Sequence, residues 1–503
     1  MKLSSNLLAG LTNSVWSALI GLAVVPFYLK YLGIEAYGLI GFFITTQAVL
    51  GLLDMGMSPT INREVARCSA QGDLKEAGKL LHTLAVVYWC TAGAIALLIL
   101  LFGSWIAEYW LKSRQLPSQT ITHAVMLMGL VVACRWPIGL YQGALIGAQR
   151  LTVSSGINMV MATISSLGAV SVLAFVSPTI EAFFIWQACV GLVYAIAMRE
   201  AAWRIIGKLS ELKFDVDKLK SVWRFTAGMS GIGLMAVVFT QLDKVILSKM
   251  LGLEEFGHYM LATVVVSGLY VLINPVFNVI YPRMSALVVG NDKEKLTELY
   301  RLGTRMLAAV LFPIAMVLVV FAKDLVFVWT DNLSIASSVA PVIALLAIGS
   351  ALHGVMYFPY ALQLAYGMTS LSLTINAILM ILLVPLIVFF ALTYGALGGA
   401  MAWLVLHLLY LLLGTWLTHR TLLKGLGAGW LLQDVGIPLI LSILMGLMAY
   451  YYIVQNAEYS ILLKLIIGGT LALLSSVLSI SSSSQLRTVI LDSLRDKKKI
   501  TVI

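Results

Sequence analysis

Apolar runs recur along the chain at the length a bilayer demands. A membrane-crossing helix needs about 20 mostly apolar residues. Fourteen stretches qualify: 7–29, 38–60, 81–103, 121–146, 152–176, 182–203, 225–247, 257–281, 305–329, 339–364, 370–392, 396–417, 435–455 and 460–480. Most connections are short, which predicts antiparallel neighbours. The expected fold class is therefore an all-α polytopic membrane protein of about 14 transmembrane helices. The opening MKLSSN carries one Lys and leads into an apolar run longer than a signal-peptide core, so 7–29 reads as the first span. Prolines fall within or at the ends of many spans (Pro26, Pro59, Pro137, Pro275, Pro282, Pro313, Pro359 and Pro385), where each removes a helical hydrogen bond and predicts a kink.

The pattern also repeats. Lys30-Tyr-Leu-Gly33-Ile-Glu35-Ala-Tyr37-Gly38 matches Lys249-Met-Leu-Gly252-Leu-Glu254-Glu-Phe256-Gly257 at an offset of 219. The same offset takes Asp73 to Asp292 and Trp110 to Trp329; a one-residue slip takes Arg63 to Arg283. With small gaps, Gln142, Gly147 and Asn158 fall on Gln363, Gly367 and Asn376. Each copy holds six spans, an even number, so both enter the membrane in the same direction. This predicts a parallel repeat with its pseudo-two-fold along the membrane normal and two bundles facing a central cleft. The expected organisation is an N-terminal six-helix bundle at 1–204, a cytoplasmic linker at 205–224 and a C-terminal six-helix bundle at 225–418. Helices 13 and 14 follow at 419–484, with a cytoplasmic tail at 485–503.

Composition strengthens the membrane reading. Hydrophobic residues make up 60% of the 503 and charged residues only 11%, against about 25% charged in soluble domains. The net charge of +10 would suggest nucleic acid in a soluble protein, but its distribution argues for topology. With the N-terminus cytoplasmic, 25 of the 33 Lys and Arg fall on the cytoplasmic side. Both termini are then cytoplasmic and nucleic acid is not a partner. Cys68, Cys90, Cys134 and Cys189 show no paired or metal-ligand spacing and read as small packing residues.

Enzyme signatures are absent. The chain has no phosphate-binding Walker loop, no HExxH zinc motif and no nucleophile elbow, and its longest loops are short and basic. No cofactor is expected. Charges inside spans are costly and tend to face cavities, which singles out Asp54, Arg135, Asp243 and Lys244, with Arg63 and Arg283 at cytoplasmic span ends. Each also has a structural reading. Asp54 can accept hydrogen bonds from a neighbouring helix, and Asp243 and Lys244 can snorkel to the outer face. Being adjacent, Asp243 and Lys244 are expected to point about 100° apart rather than at each other. Arg63 and Arg283 can serve as cytoplasmic anchors. Arg135 lies deep in its span and is expected to line the cleft, with Trp136, Tyr141 and Gln142 beside it and Tyr357, Tyr360 and Gln363 in the second copy. The alternative for these rings and amides is helix packing. A guanidinium neutralises a pyrophosphate through paired donors, and amides and flat rings suit sugars.

Two opening segments carry a family resemblance: Pro26-Phe-Tyr-Leu-Lys30-Tyr-Leu-Gly33-Ile-Glu35-Ala-Tyr37-Gly38 and Leu53-Asp54-Met-Gly56-Met-Ser58-Pro59. Asn62-Arg63-Glu64-Val-Ala66-Arg67, Leu251-Gly252-Leu-Glu254-Glu-Phe256-Gly257 and Tyr281-Pro282-Arg283 extend it. Together they resemble Wzx-type polysaccharide flippases of the multidrug/oligosaccharidyl-lipid/polysaccharide exporter superfamily. The resemblance implies a V-shaped pair of six-helix bundles that carry an undecaprenyl-pyrophosphate-linked oligosaccharide from the cytoplasmic to the periplasmic leaflet by alternating access. It implies a bacterial inner-membrane location, coupling to an H+ or Na+ gradient, and a polysaccharide polymerase and chain-length regulator as partners; the intramembrane acids Asp54 and Asp243 are the candidates for such coupling. Competing readings are a drug/cation antiporter of the same fold, a peptidoglycan-precursor flippase and a membrane enzyme of envelope glycan assembly. Many such flippases have twelve spans, and the peptidoglycan-precursor flippases fourteen. The latter carry several arginines in their first two spans, whereas here the first span has no ionisable residue before Lys30.

Overall fold

The computed structural model describes residues 3–207, 213–455 and 459–488. Parts of the expected linker (208–212) and tail (489–503) lie outside the described residues. The described backbone is helical throughout, with one isolated backbone bridge between Lys112 and Gly252. The chain divides into two compact units, Met1–Gly257 and His258–Ile503.

The first unit contains α1 (Leu3–Leu50), α2 (Met57–Gln71), α3 (Leu74–Tyr109), α4 (Ser118–Arg135), α5 (Ile138–Gly147), α6 (Leu151–Phe175), α7 (Ile180–Ile206) and α8 (Val216–Met250). α9 (Leu253–Val289) begins there and runs into the second unit. α10 (Lys293–Val320), α11 (Ala322–Thr330), α12 (Leu333–Val355), α13 (Tyr357–Ala365) and α14 (Thr369–Leu409) follow. The chain closes with α15 (Thr415–Thr421), α16 (Gly427–Gly429), α17 (Ile437–Ala449) and α18 (Ile461–Ser481).

Among the described residues, eleven helical segments are long and apolar enough to cross a bilayer. Two of them bend at glycines whose backbone leaves the helix: Gly33 (φ 79°) in α1 and Gly395 (φ 58°) in α14. Each therefore supplies two expected spans, and the 35-residue α8 occupies the place of the seventh. Only glycine reaches such angles cheaply, so the helix kinks there without a loop.

The expected second span, 38–60, is not continuous. After α1 a short 3₁₀ turn, Gly51–Asp54, leads into Met55 and Gly56, both left-handed (φ 48° and 75°), before α2 begins. Pro59 sits in the first turn of α2, where its missing N–H is harmless. Pro137 separates α4 from α5, and α12 gives way to α13 at Met356, three residues before Pro359. Pro26, Pro275, Pro282, Pro313 and Pro385 lie within continuous helices, so these prolines do not break their helices.

The internal repeat has local structural counterparts. Asp73 and Asp292 each cap a helix, accepting from the backbone N–H of Lys75 and Lys295 respectively, both at 3.1 Å. A hydrogen bond from the Lys295 side chain holds the Asp292 carboxyl below its ordinary range. Within the first unit, the repeat-equivalent Gly38 and Gly257 approach so closely that a Cβ on Gly38 would lie 2.3 Å from the Leu253 carbonyl oxygen. The core of this unit joins Ile61 and Val65 of α2, Leu84 and Tyr88 of α3, Ala144 of α5 and Met198 of α7. In the second unit α17 and α18 pack on each other and on α10.

Candidate functional site

One cluster of polar side chains in the first unit forms where α4 ends. Pro137 has no N–H to continue the helix, so Arg135 is the last residue of α4. Its Nη2 donates to Ser165 Oγ of α6 at 3.3 Å and to Gln187 Oε1 of α7. Ser165 Oγ donates to the same Gln187 oxygen at 2.6 Å, and the guanidinium carbon lies 5.9 Å from the Phe43 ring of α1. Arg135 Nε is buried with no hydrogen-bond partner among the described residues. The guanidinium is thus held by neutral groups inside the unit, with no carboxylate among the described ion pairs to balance it. A buried cation without a counter-charge is costly, and an anion arriving at it is attracted in proportion.

Asp54 is linked to this group through two rings. Its Oδ2 accepts from the backbone N–H of Ser58 at 3.3 Å and its Oδ1 accepts from the hydroxyl of Tyr88 on α3. The Tyr88 ring lies 6.2 Å from that of Trp136, the residue after Arg135. Tyr141 is fully buried in the core of the unit, whereas Gln142 is half-buried. On α2, exposed Arg63 and Arg67 flank the carboxylate of Glu64, with nitrogen–oxygen distances of 2.9 and 2.7 Å, leaving one net positive charge. Asp243 and Lys244 of α8 do meet, contrary to the geometry expected of adjacent residues. The flexible Lys stem folds back so that Nζ lies 3.2 Å from Asp243 Oδ1 and donates to the Thr240 carbonyl at 2.8 Å.

In the second unit α9 and α13 form an aromatic shelf. Phe277 stacks on Tyr281 (5.4 Å) and Tyr360 (6.5 Å) and meets Tyr357 edge-on at 5.7 Å. These rings and Arg283 are half-buried, and Asn274 and Asn278 stand exposed on α9. Amides, hydroxyls and ring faces along one helix give the contacts a glycan needs. Gln363 is instead shut inside, its Nε2 donating to Thr418 Oγ1 at 2.7 Å. Sequence reading missed Asn274, Asn278, Phe277 and Tyr281, although the four-residue spacing of Asn274 and Asn278 marks one polar helix face within an apolar run.

Two further charged groups were not foreseen. The Glu35 carboxylate is buried and accepts from Ser113 Oγ (2.6 Å) and from the backbone N–H groups of Arg114, Gln115 and Leu116 at 3.0–3.2 Å. It pins the loop between α3 and α4. Asp434, fully buried, binds Arg301 Nε at 2.7 Å and Arg305 Nε at 2.5 Å, and Arg305 also reaches Ser483 and Gln485. This clasp ties the ends of α17 and α18 to α10. No group of three metal-ligating side chains assembles among the described residues.

Fold and polar interior together define a multi-pass membrane protein of transporter architecture. The chain belongs to the polysaccharide biosynthesis protein family, which it matches over residues 30–332. It is 23% identical over 426 residues to a Shigella flexneri protein named "Putative O-antigen transporter", covering 81% of this chain and 97% of that one. Its fold is similar to an inward closed structure of the lipid II flippase MurJ (TM-score 0.69, 13% identity), covering 94% of this chain and 98% of that one. It is also similar to an inward-facing multidrug resistance MATE family transporter of the MOP superfamily (TM-score 0.65, 14% identity), covering 81% and 96%. The resemblance to Wzx-type flippases of that superfamily, read from the opening segments, is borne out.

Proposed function

We propose that the protein moves an undecaprenyl-pyrophosphate-linked oligosaccharide repeat unit from the cytoplasmic to the periplasmic leaflet of a bacterial inner membrane. It acts as a transporter and not as an enzyme. The two repeats, bounded at 1–204 and 225–418, work by alternating access, with both termini cytoplasmic. The observation that carries this reading is Arg135, a guanidinium inside the bilayer with neutral partners and one unspent donor. A pyrophosphate supplies the missing negative charge, and guanidinium–phosphate pairing is strong and directional. Trp136, Gln142 and Arg63 in the first unit, and Tyr357, Tyr360 and Arg283 in the second, offer the surrounding ring, amide and cationic contacts. An H+ or Na+ gradient drives the cycle, and a polysaccharide polymerase and chain-length regulator receive the product. Asp54 and Asp243 are the acidic candidates for ion exchange, each already engaged, with Tyr88 and Lys244 respectively.

A cation-exporting role fits less well, because Arg135 repels the cationic drugs such exporters carry. Peptidoglycan-precursor flipping is disfavoured by a first span with no ionisable residue before Lys30. The test is deletion of the gene and complementation, with surface polysaccharide and drug sensitivity scored separately. Loss and rescue of polysaccharide with unchanged drug sensitivity is expected. Unaltered polysaccharide in the deletion strain overturns the reading.

A further inference from the structure

From Asn332 to His419 the chain contains no Asp, Glu, Lys or Arg. Within that stretch two histidines, far apart in sequence, come together in the second unit. His353 lies near the end of α12 and His407 near the end of α14, and their ring centres are 4.7 Å apart. His407 is fully buried. Its Nδ1 lies 2.8 Å from the Trp403 carbonyl oxygen, which can only accept, so Nδ1 carries the hydrogen and the neutral ring keeps its basic lone pair on Nε2. His353 Nδ1 lies 3.0 Å from the Tyr270 hydroxyl. A hydroxyl donates to a neutral imidazole and accepts from a protonated one, so Tyr270 serves both charge states.

We propose that the His353–His407 pair, with Tyr270, is a proton-binding site that couples a proton gradient to movement of the C-terminal repeat. This rests on the transport reading above and assigns its driving ion. The pair holds one proton at a time, because two imidazolium rings this close repel each other. The proton arrives from water, takes a lone pair on an imidazole nitrogen and leaves to water on the other side of the membrane.

The surroundings suit a single titrating unit. The titratable groups among the described ring contacts of the pair are phenols: Tyr270 of α9, Tyr357 of α13 and Tyr410, which begins the π-helical turn Tyr410–Gly414 after α14. α12, α13, α14 and that turn carry no charged residue. From α10 the neighbour of adjacent Gly354 is Leu311, and the charges of α10 all lie between Lys293 and Arg305. From α9 it is Ile273, with Arg283 ten residues further along.

Both histidines sit one turn before a helix discontinuity. The Met356 N–H at the α12–α13 break donates to the His353 carbonyl at 3.0 Å, and the Tyr410 N–H at the π turn donates to the His407 carbonyl. The two breaks touch, since Thr415 Oγ1 lies 3.6 Å from Met356 Sδ. π turns within helices often mark functional positions. A charge placed on the pair acts directly on two adjoining hinges.

The readout is intrinsic fluorescence of the purified full-length protein in nanodiscs, because the Trp403 ring lies 4.3 Å from that of His407 and a protonated imidazole quenches indole. The wild type is expected to show a single-proton quench across the imidazole range, about pH 4–8. The quench is expected to disappear in Trp403→Phe and His407→Gln and to keep its amplitude with a moved midpoint in Tyr270→Phe, which retains both imidazoles. In liposomes loaded with lipid-linked glycan, the ratio of translocation rates with and without a pH gradient is expected to fall to about one in His353→Gln and His407→Gln. A wild type without the quench, or a double Gln variant that keeps both quench and gradient response, overturns the proposal. A normal quench in a wild type that moves no glycan under any gradient leaves the proton site standing and overturns the transport reading instead.

Discussion

At the scale of single residues, charge balance sets the cost of each substitution. Arg135→Ala removes the cation that bridges α4, α6 and α7 and is expected to abolish surface polysaccharide while membrane levels of the protein hold. Arg135→Lys keeps the charge but loses the planar fork, and an intermediate loss of roughly tenfold, about 1.4 kcal/mol, is expected. Immunoblots alongside polysaccharide gels check both. Asp434→Asn leaves two guanidiniums facing each other with no carboxylate between them. Breaking a buried pair costs about 3–5 kcal/mol, so a marked drop in thermal unfolding temperature is expected in detergent. That Arg135 sits within an apolar helical stretch was legible in the sequence, because depth in a span is a one-dimensional property. Its partners were not, since Ser165 and Gln187 lie 30 and 52 residues away on other helices. Tyr141 and Gln363 were misjudged for a related reason: a ring or amide beside a charge reads the same whether it lines a passage or fills a core. Asp243 and Lys244 show the reverse error, where backbone geometry was trusted over the reach of a four-carbon stem.

At the scale of elements, a few glycines and one proline break the helices, while Pro26, Pro275, Pro282, Pro313 and Pro385 lie within continuous ones. Gly33, Gly395 and Pro137 all mark real breaks, whereas the expected spans 38–60 and 121–146 run across interruptions, at 51–56 and at Pro137. The interruption at residues 51–56 was missed because its flanks are apolar and its signal, Gly51, Asp54 and Gly56, is spread over six residues. The π turns leave no recognisable composition at all. Close packing at Gly38 yields a sharp expectation. A methyl group there meets the Leu253 carbonyl oxygen at 2.3 Å, and backbone cannot rotate away as a side chain does. Gly38→Ala is expected to destabilise the first unit by about 1–3 kcal/mol, seen as a lower unfolding temperature. Gly21→Ala, where nothing lies within 4 Å, is the matched control and should leave that temperature unchanged.

At the scale of the whole chain, the repeat and the basic-residue bias make one joint statement that neither makes alone. With the six spans expected in each copy, equivalent positions emerge on the same side of the membrane. Lys75 and Glu294 are equivalent at the offset of 219, as are Gln115 and Ser334, and all four are exposed. In a chain whose four native cysteines are replaced by Ser, single cysteines at these four positions can be probed on intact spheroplasts with a membrane-impermeant thiol reagent. Gln115→Cys and Ser334→Cys are expected to react from outside. Lys75→Cys and Glu294→Cys are expected to react only after permeabilisation, because the basic segments around them are retained in the cytoplasm. If Glu294→Cys reacts together with Gln115→Cys, the repeat is inverted rather than parallel. If all four exchange sides, the repeat stands and the orientation inferred from Lys and Arg is reversed, and with it the direction in which a glycan would have to be carried.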